Sequence, residues 1–186
     1  MNVLIIPEDF RKDQYMLKPI IEAMLNSLER RASVRVCQNP LLGGIDQALN
    51  WDRIASVIDQ YKYRTDLFLL CVDRDNVQTR RQTLDNIERQ AANVLANEKM
   101  LLAENAWQEI EVWVLAGHNM PAGWSWTDIR TERDPKERYF LPFAEQRGLL
   151  DEPGQGRKTL ADEAARRYTR IRQRCPEVAD LENRIP

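Results

Sequence analysis

The sequence predicts an α/β fold: a central, mainly parallel sheet of about four or five strands flanked by helices, with a helical C-terminal extension. Three observations lead there. Short apolar runs alternate with longer segments of helical periodicity in the order βαβαβαβα. The run "LFLLCV", Leu67–Val72, is apolar on both faces, as a strand buried inside a parallel sheet must be. The segments between the runs are long enough for helical, right-handed crossovers. Residues 1–120 read as the α/β core and 121–186 as a mostly helical extension packed on the same domain.

In chain order, "NVLII" (Asn2–Ile6) reads as the first strand, stopped by Pro7. From Arg11 to Arg30, Tyr15, Leu17, Ile20, Ile21, Met24, Leu25 and Leu28 recur at helical spacing. "SVRVC" (Ser33–Cys37) is a second strand, closed by the turn-forming "NPLLGG". One helix is expected from Ile45 to Tyr61, a strand through "DLFLLCVD" to Asp73, and a polar helix from Val77 to Glu98. "KMLLAEN" (Lys99–Asn105) reads as the fourth strand. "AWQEIEVWVLAG" that follows is too long and too uniformly apolar for a surface helix. Beyond Gly117 the text turns loop-like, with helices expected over "PKERYFLPFAEQRG" and, as the last element, "TLADEAARRYTRIRQRC".

The composition narrows the chemistry. A chain of 186 residues with 43% hydrophobic residues suits one core of ordinary size. A net charge of −2 gives no global cationic field, so any polyanion contact must come from a local patch or through metal ions. Three scattered cysteines with no CxxC pair suit free thiols in a reducing cytoplasm. No signal peptide or membrane-length apolar run is apparent, so a cytoplasmic protein without membrane contact is expected. A single histidine, His118, excludes multi-histidine zinc sites and HNH-type nuclease centres. Metal chemistry here must rest on carboxylates.

Carboxylates gather at one edge of the expected sheet. Ligands of open parallel sheets bind outside the carboxyl ends of the strands. Glu8 and Asp9 follow the first strand, Asp73 and Asp75 the third, and Glu104 closes the fourth, with Glu109 and Glu111 just beyond. Such a cluster is costly unless cations neutralise it or some carboxyls hold protons. Hard cations such as Mg²⁺ choose these oxygens, and one or two ions can stabilise the attacking and leaving oxygens of a phosphodiester. Each acid also has a plainer use. Asp75 could cap the third helix, and Glu8 and Asp9 could favour the positive end of the first. Glu109 and Glu111 are harder to account for, because both sit among apolar residues and buried carboxylates need partners.

These segments resemble the Toprim fold shared by topoisomerases, bacterial primases and the overcoming-lysogenization-defect nucleases. More closely, "EDFRKDQYMLKPII", "FLLCVDRD" and "EIEVWVLAGH" resemble, in order, the motifs of a small Toprim-like family of bacterial proteins often encoded beside ATPases in defence-type operons. The family's glutamate falls on Glu8 when counted from the first strand and on Asp9 when counted back from "MLKPII"; its second acid falls on Asp13. The family's glycine after that glutamate is missing here, and its final aspartate is Gly117, followed by His118. The resemblance implies a Mg²⁺- or Mn²⁺-dependent nuclease or nicking subunit acting on nucleic acid, DNA ahead of RNA. It implies an ATPase partner, and the chain could also oligomerise. Asp73, Asp75, Glu8, Glu109 and Glu111 would hold metal. Glu8 or Asp9 could instead serve as general acid or base, with Asp13 and His118 in support. The alternative is a catalytically inert binding subunit of such a complex.

Two further features invite a ligand. Arg166, Arg170 and Arg174 recur every four residues, with Lys158 preceding, a stripe that could meet phosphates or simply suit the helix dipole. Trp124 and Trp126 in "GWSW" could stack on bases or fold over the core. Lys158 lies outside any Walker spacing, so direct ATP hydrolysis is not expected.

Overall fold

In the computed structural model, which describes residues 1–96 and 98–186, four strands form an all-parallel sheet in the order β2-β1-β3-β4. They are β1 (Asn2–Pro7), β2 (Ser33–Val36), β3 (Leu67–Asp73) and β4 (Met100–Ala106). The strands form where the apolar runs lie, because a strand covered on both faces must be apolar throughout. In β3 every residue from Leu67 to Val72 is buried. Alternation then assigns the faces. Leu67, Leu69 and Cys71 face one layer, and Phe68, Leu70 and Val72 the other.

The first layer holds α1 (Phe10–Ser27) and the C-terminal helices, and the second holds α2 (Ile45–Ala48), α3 (Trp51–Tyr61) and α4 (Arg80–Ala92). Beyond β4 come α5 (Glu111–Ala116), α6 (Trp126–Thr131), a π-helical turn at Lys136–Phe140 leading into α7 (Leu141–Gln146), α8 (Arg157–Ala165), α9 (Tyr168–Arg174) and α10 (Pro176–Arg184). Phe140, Phe143, Leu160, Ile171 and Leu181 of this extension share one apolar cluster with Ile20 and Met24 of α1. Burying each such side chain stabilises the fold by about 1.5–3 kcal/mol. None of the helices among the described residues is long and apolar enough to cross a membrane. All three cysteines are buried free thiols.

Helix boundaries depart from the sequence reading in four places, the first being α6, which forms over Trp126–Thr131 where a loop was expected. The helix expected over Ile45–Tyr61 is two, because the Asn50 side chain accepts from Arg53 N (3.2 Å) and starts α3 afresh. The expected helix from Val77 to Glu98 is ordered as α4 only from Arg80 to Ala92, and Asn97 lies outside the described residues. The last expected helix breaks between Ala165 and Tyr168, and α10 follows where none was expected, with Pro176 at its first turn.

The order 2-1-3-4 has a geometrical consequence. The chain leaves β1 for one neighbour, β2, and then crosses over to the other, β3. The carboxyl ends of β1 and β3 therefore flank the point where winding reverses, the usual ligand crevice of such sheets.

Candidate metal centre

Glu8 follows β1 and Asp73 ends β3, so these two acids straddle the reversal point. They meet there: Glu8 Oε2 accepts a hydrogen bond from Asp73 N at 3.2 Å. Asp73 belongs to the α1 face of β3, and its Oδ1 accepts from Ile110 N at 2.8 Å. Burial first, and then the charges of Glu111, Asp13 and Glu8, push its carboxyl well above the ordinary aspartate range. Asp13, one turn into α1, is raised to about 7 by burial and by Glu111, Glu8 and Asp9. Glu8 is raised by burial and by Asp75. Acids from β1, α1, β3 and α5 thus share one field at the carboxyl edge of the sheet.

Local structure settles which of Glu8 and Asp9 points inward. Asp9 is the N-cap of α1, its carboxylate accepting from Arg11 N at 2.9 Å, while Asp13 reaches back to Asp9 N at 2.9 Å. This is a capping arrangement, and it leaves Glu8 to face β3. A cleft of about 450 Å³ opens on Glu8 and Asp9, walled by Phe10, Leu42, Gly43 and Gly44.

Glu111 is the first residue of α5 and is buried, as its apolar neighbours imply. Its partner is Arg157: Nη2 and Nε both donate to Glu111 Oε1, at 2.5 and 3.1 Å. The side chains are 1% and 6% exposed for Arg157 and Glu111. The sequence reading gives Arg157 no part in the site. The available signal was "GQGRK". Gly154, Gln155 and Gly156 run at φ +71°, +55° and +82°, a left-handed turn that delivers Arg157 at the start of α8. Arg157 Nη1 closes the turn on the Gly154 carbonyl at 2.9 Å.

Asp75 does not cap α4. The N-cap is Thr79, and Asp75 lies 3.6 Å from Arg80 Nη2 on the exposed side of the rim. Its loop is held by Gln108, whose carbonyl accepts from Arg74 N (2.9 Å) and Asp75 N (3.2 Å), and whose side chain pairs twice with Asn76 at 3.0 Å. Asp75, Asn76 and Gln108 all take positive φ, of 51°, 59° and 70°. Such backbone persists only where surroundings over-determine it.

The other candidates have separate partners. Glu109 precedes α5 rather than lying on it, accepts from Lys136 N at 2.7 Å and faces Lys136 Nζ at 3.4 Å. Glu104 turns to the free edge of β4, where Arg184 (2.9 Å) and Arg81 (3.4 Å) neutralise it. The same arginines and Glu88 cover the Ala103 peptide, protecting the sheet edge. His118 is buried with Nε2 2.8 Å from the Leu160 carbonyl, edge-on to Phe143; burial lowers its pKa. It serves the junction with α8. Gly117 belongs there too, since a Cβ on it would lie 2.6 Å from the Ala164 backbone, leaving no room for an aspartate.

The helix break separates Arg166, which precedes α9, from Arg170 and Arg174 on it. Arg170 bonds Asn119, Arg174 approaches the carbonyls of Ala116 and His118 and covers Trp126, and Lys158 pairs with Asp162. Trp124 packs edge-on against Tyr139 at 5.0 Å, so both tryptophans fold over the core.

The donors fit a hard divalent cation in chemistry: oxygen ligands only, with Glu8, Asp13 and Asp73 raised above the ordinary carboxylate range by burial and neighbouring charge. Among the described residues no three His, Cys, Asp or Glu side chains close on a common point. Mg²⁺ does not require that, since it keeps several waters and binds through one or two carboxylates. Comparison with protein-family models, curated proteins and solved structures finds no match to this chain.

Proposed function

We propose that the chain is a divalent-metal-dependent phosphodiester hydrolase, a nuclease or nicking subunit acting on nucleic acid, with DNA as the first substrate to test. Its main support is the meeting of Glu8 and Asp73 at the winding reversal, backed by Asp13 and Glu111. Glu8 and Asp73 would hold Mg²⁺ or Mn²⁺, with Asp75 at the rim. A bound ion supplies charge stabilisation to the phosphodiester oxygens and makes water more acidic. Asp13, titrating at about 7, can hold a proton or accept one near neutral pH. Arg157 fixes the orientation of Glu111 behind the site through two donors to one carboxylate oxygen. The Toprim-like motifs agree with this reading, under which the chain would work in the cytoplasm within a defence-type complex with an ATPase.

A second reading has its own support. Glu109 and Glu111 already have cationic partners, as expected of an inert Toprim-like subunit whose rim is structural. Incubation with single- and double-stranded DNA and RNA in Mn²⁺ or Mg²⁺, with and without any ATPase found encoded beside it, separates the two. Cleavage by wild type that Glu8→Gln abolishes supports the enzyme. No cleavage of any substrate under any of these conditions supports the inert subunit.

A further inference from the structure

Arg80 is out of place by ordinary rules. It is the first residue of α4, where the helix dipole disfavours a cation, and its side chain is only 7% exposed. A buried guanidinium normally spends its donors on protein acceptors. Among the described residues, Arg80 Nε is the one buried side-chain nitrogen or oxygen with no hydrogen-bond partner. The 3.6 Å separation of Nη2 from Asp75 is too long for a hydrogen bond. Its neighbour Arg81 shows the usual behaviour, bonding Asp85, Glu88 and the Ala103 carbonyl. Arg157 also opens a helix, but there Glu111 accounts for it.

We propose that Arg80 and the N-terminus of α4 form a subsite for one backbone phosphate of a nucleic-acid strand, beside Asp75 at the rim. The helix has 13 residues, and its N-cap Thr79 makes no side-chain hydrogen bond to the first turn; Arg80 N donates to the Val77 carbonyl at 3.1 Å, which leaves the Arg81 and Gln82 N–H groups available. Gln108 ties down the loop that leads into α4 through two hydrogen bonds to Asn76. Charge sets a condition on binding. Glu8 and Asp75 lie close enough to interact with each other, and Glu8 also feels Arg80. Both carboxylates repel a phosphate until a cation neutralises them. Phosphate and divalent ion therefore bind cooperatively at this rim. The cooperativity rests on the cation site proposed above; the anion subsite does not.

The test uses a fluorescent, cleavage-resistant phosphorothioate single strand, read by anisotropy in Mn²⁺, with Mn²⁺ binding measured separately by calorimetry. Arg80→Gln is expected to weaken strand binding about 10–100-fold. It should also flatten the slope of log affinity against log salt by about 0.7, the signature of one lost phosphate contact. Arg80→Lys should recover part of the affinity. Melting temperature should hardly change, because the Arg80 side chain makes no hydrogen bond that the fold needs, and Mn²⁺ affinity should hold or rise, since a cation near Glu8 is removed. Unchanged strand affinity and slope in Arg80→Gln overturn the subsite, as does a wild type that binds no strand. A large drop in melting temperature in both variants also overturns it, since that marks a packing role. If wild type shows no Mn²⁺ heat while Arg80→Gln still loses the strand, the subsite stands and the cation site falls.

Discussion

Arg157→Met is expected to lower stability by about 3–5 kcal/mol, the usual cost of stranding one partner of a buried ion pair. For a chain of this size that corresponds to a fall in melting temperature of about 6–20 °C. The loss comes less from the missing attraction than from what remains. Glu111 would stay buried with its charge uncompensated, within the field of Asp73 and Asp13. The double variant Glu111→Leu/Arg157→Met removes both charges and should recover most of the loss, because apolar replacement of a buried pair is often neutral. Thermal denaturation of the two single variants and the double variant gives the coupling energy directly. A small effect of Arg157→Met alone would mean that water reaches Glu111 and that the pair is not sealed.

Asp73→Asn should have opposite effects on stability and on activity. Burial and neighbouring acids raise the pKa of Glu8, Asp13 and Asp73, so the folded chain holds more protons than the unfolded chain at intermediate pH. Stability of the metal-free protein then falls as pH rises, from the ordinary carboxylate range near 4 to about 7, where Asp13 titrates. Asn removes one charge from the cluster while its Oδ1 can still accept from Ile110 N. The variant should therefore melt several degrees above wild type at pH 8 and close to it at about pH 3, below the window. Mn²⁺ should raise the melting temperature of wild type at pH 8 and leave the variant unmoved. If the proposed function holds, metal-dependent cleavage by the variant should drop by about two to three orders of magnitude, as loss of a charge-positioning group at a reacting centre does. Melting curves at the two pH values with and without Mn²⁺, beside a cleavage assay, check each part. A variant less stable than wild type at pH 8 would mean that Asp73 is held by attraction rather than repulsion.

Much of this was legible in the sequence, for identifiable reasons. The strands could be read because a doubly covered strand carries its burial in every residue, as Leu67–Val72 do. Asp73 and Glu8 could be read as rim residues because strand ends in a parallel sheet share one edge. Strand order was not legible, and with it the reversal point that brings these two acids together. Glu111 was expected to need a partner, but that partner comes from a turn 46 residues later, a pairing no local pattern encodes. Glu104 was grouped with the rim because it closes a strand. β4 is an edge strand, however, and two arginines claim that carboxylate. The arginine stripe assumed one continuous helix, and the break before Tyr168 removes that assumption. The last helix had readable signals that went unused: Pro176 at its start and Val178, Leu181 and Ile185 spaced along one face.

The claim on which the rest depends is that Glu8 and Asp73 form a divalent-cation site at the reversal between β1 and β3. Isothermal calorimetry of Mn²⁺ into metal-free protein at pH 7.5 tests it most directly, run on wild type, Glu8→Gln and Asp73→Asn. Saturable binding by wild type, tightening from pH 6 to pH 8 as the clustered carboxyls lose protons and lost in both variants, is the predicted result. The same isotherm in all three proteins, or no binding by wild type at any of these pH values, would contradict it.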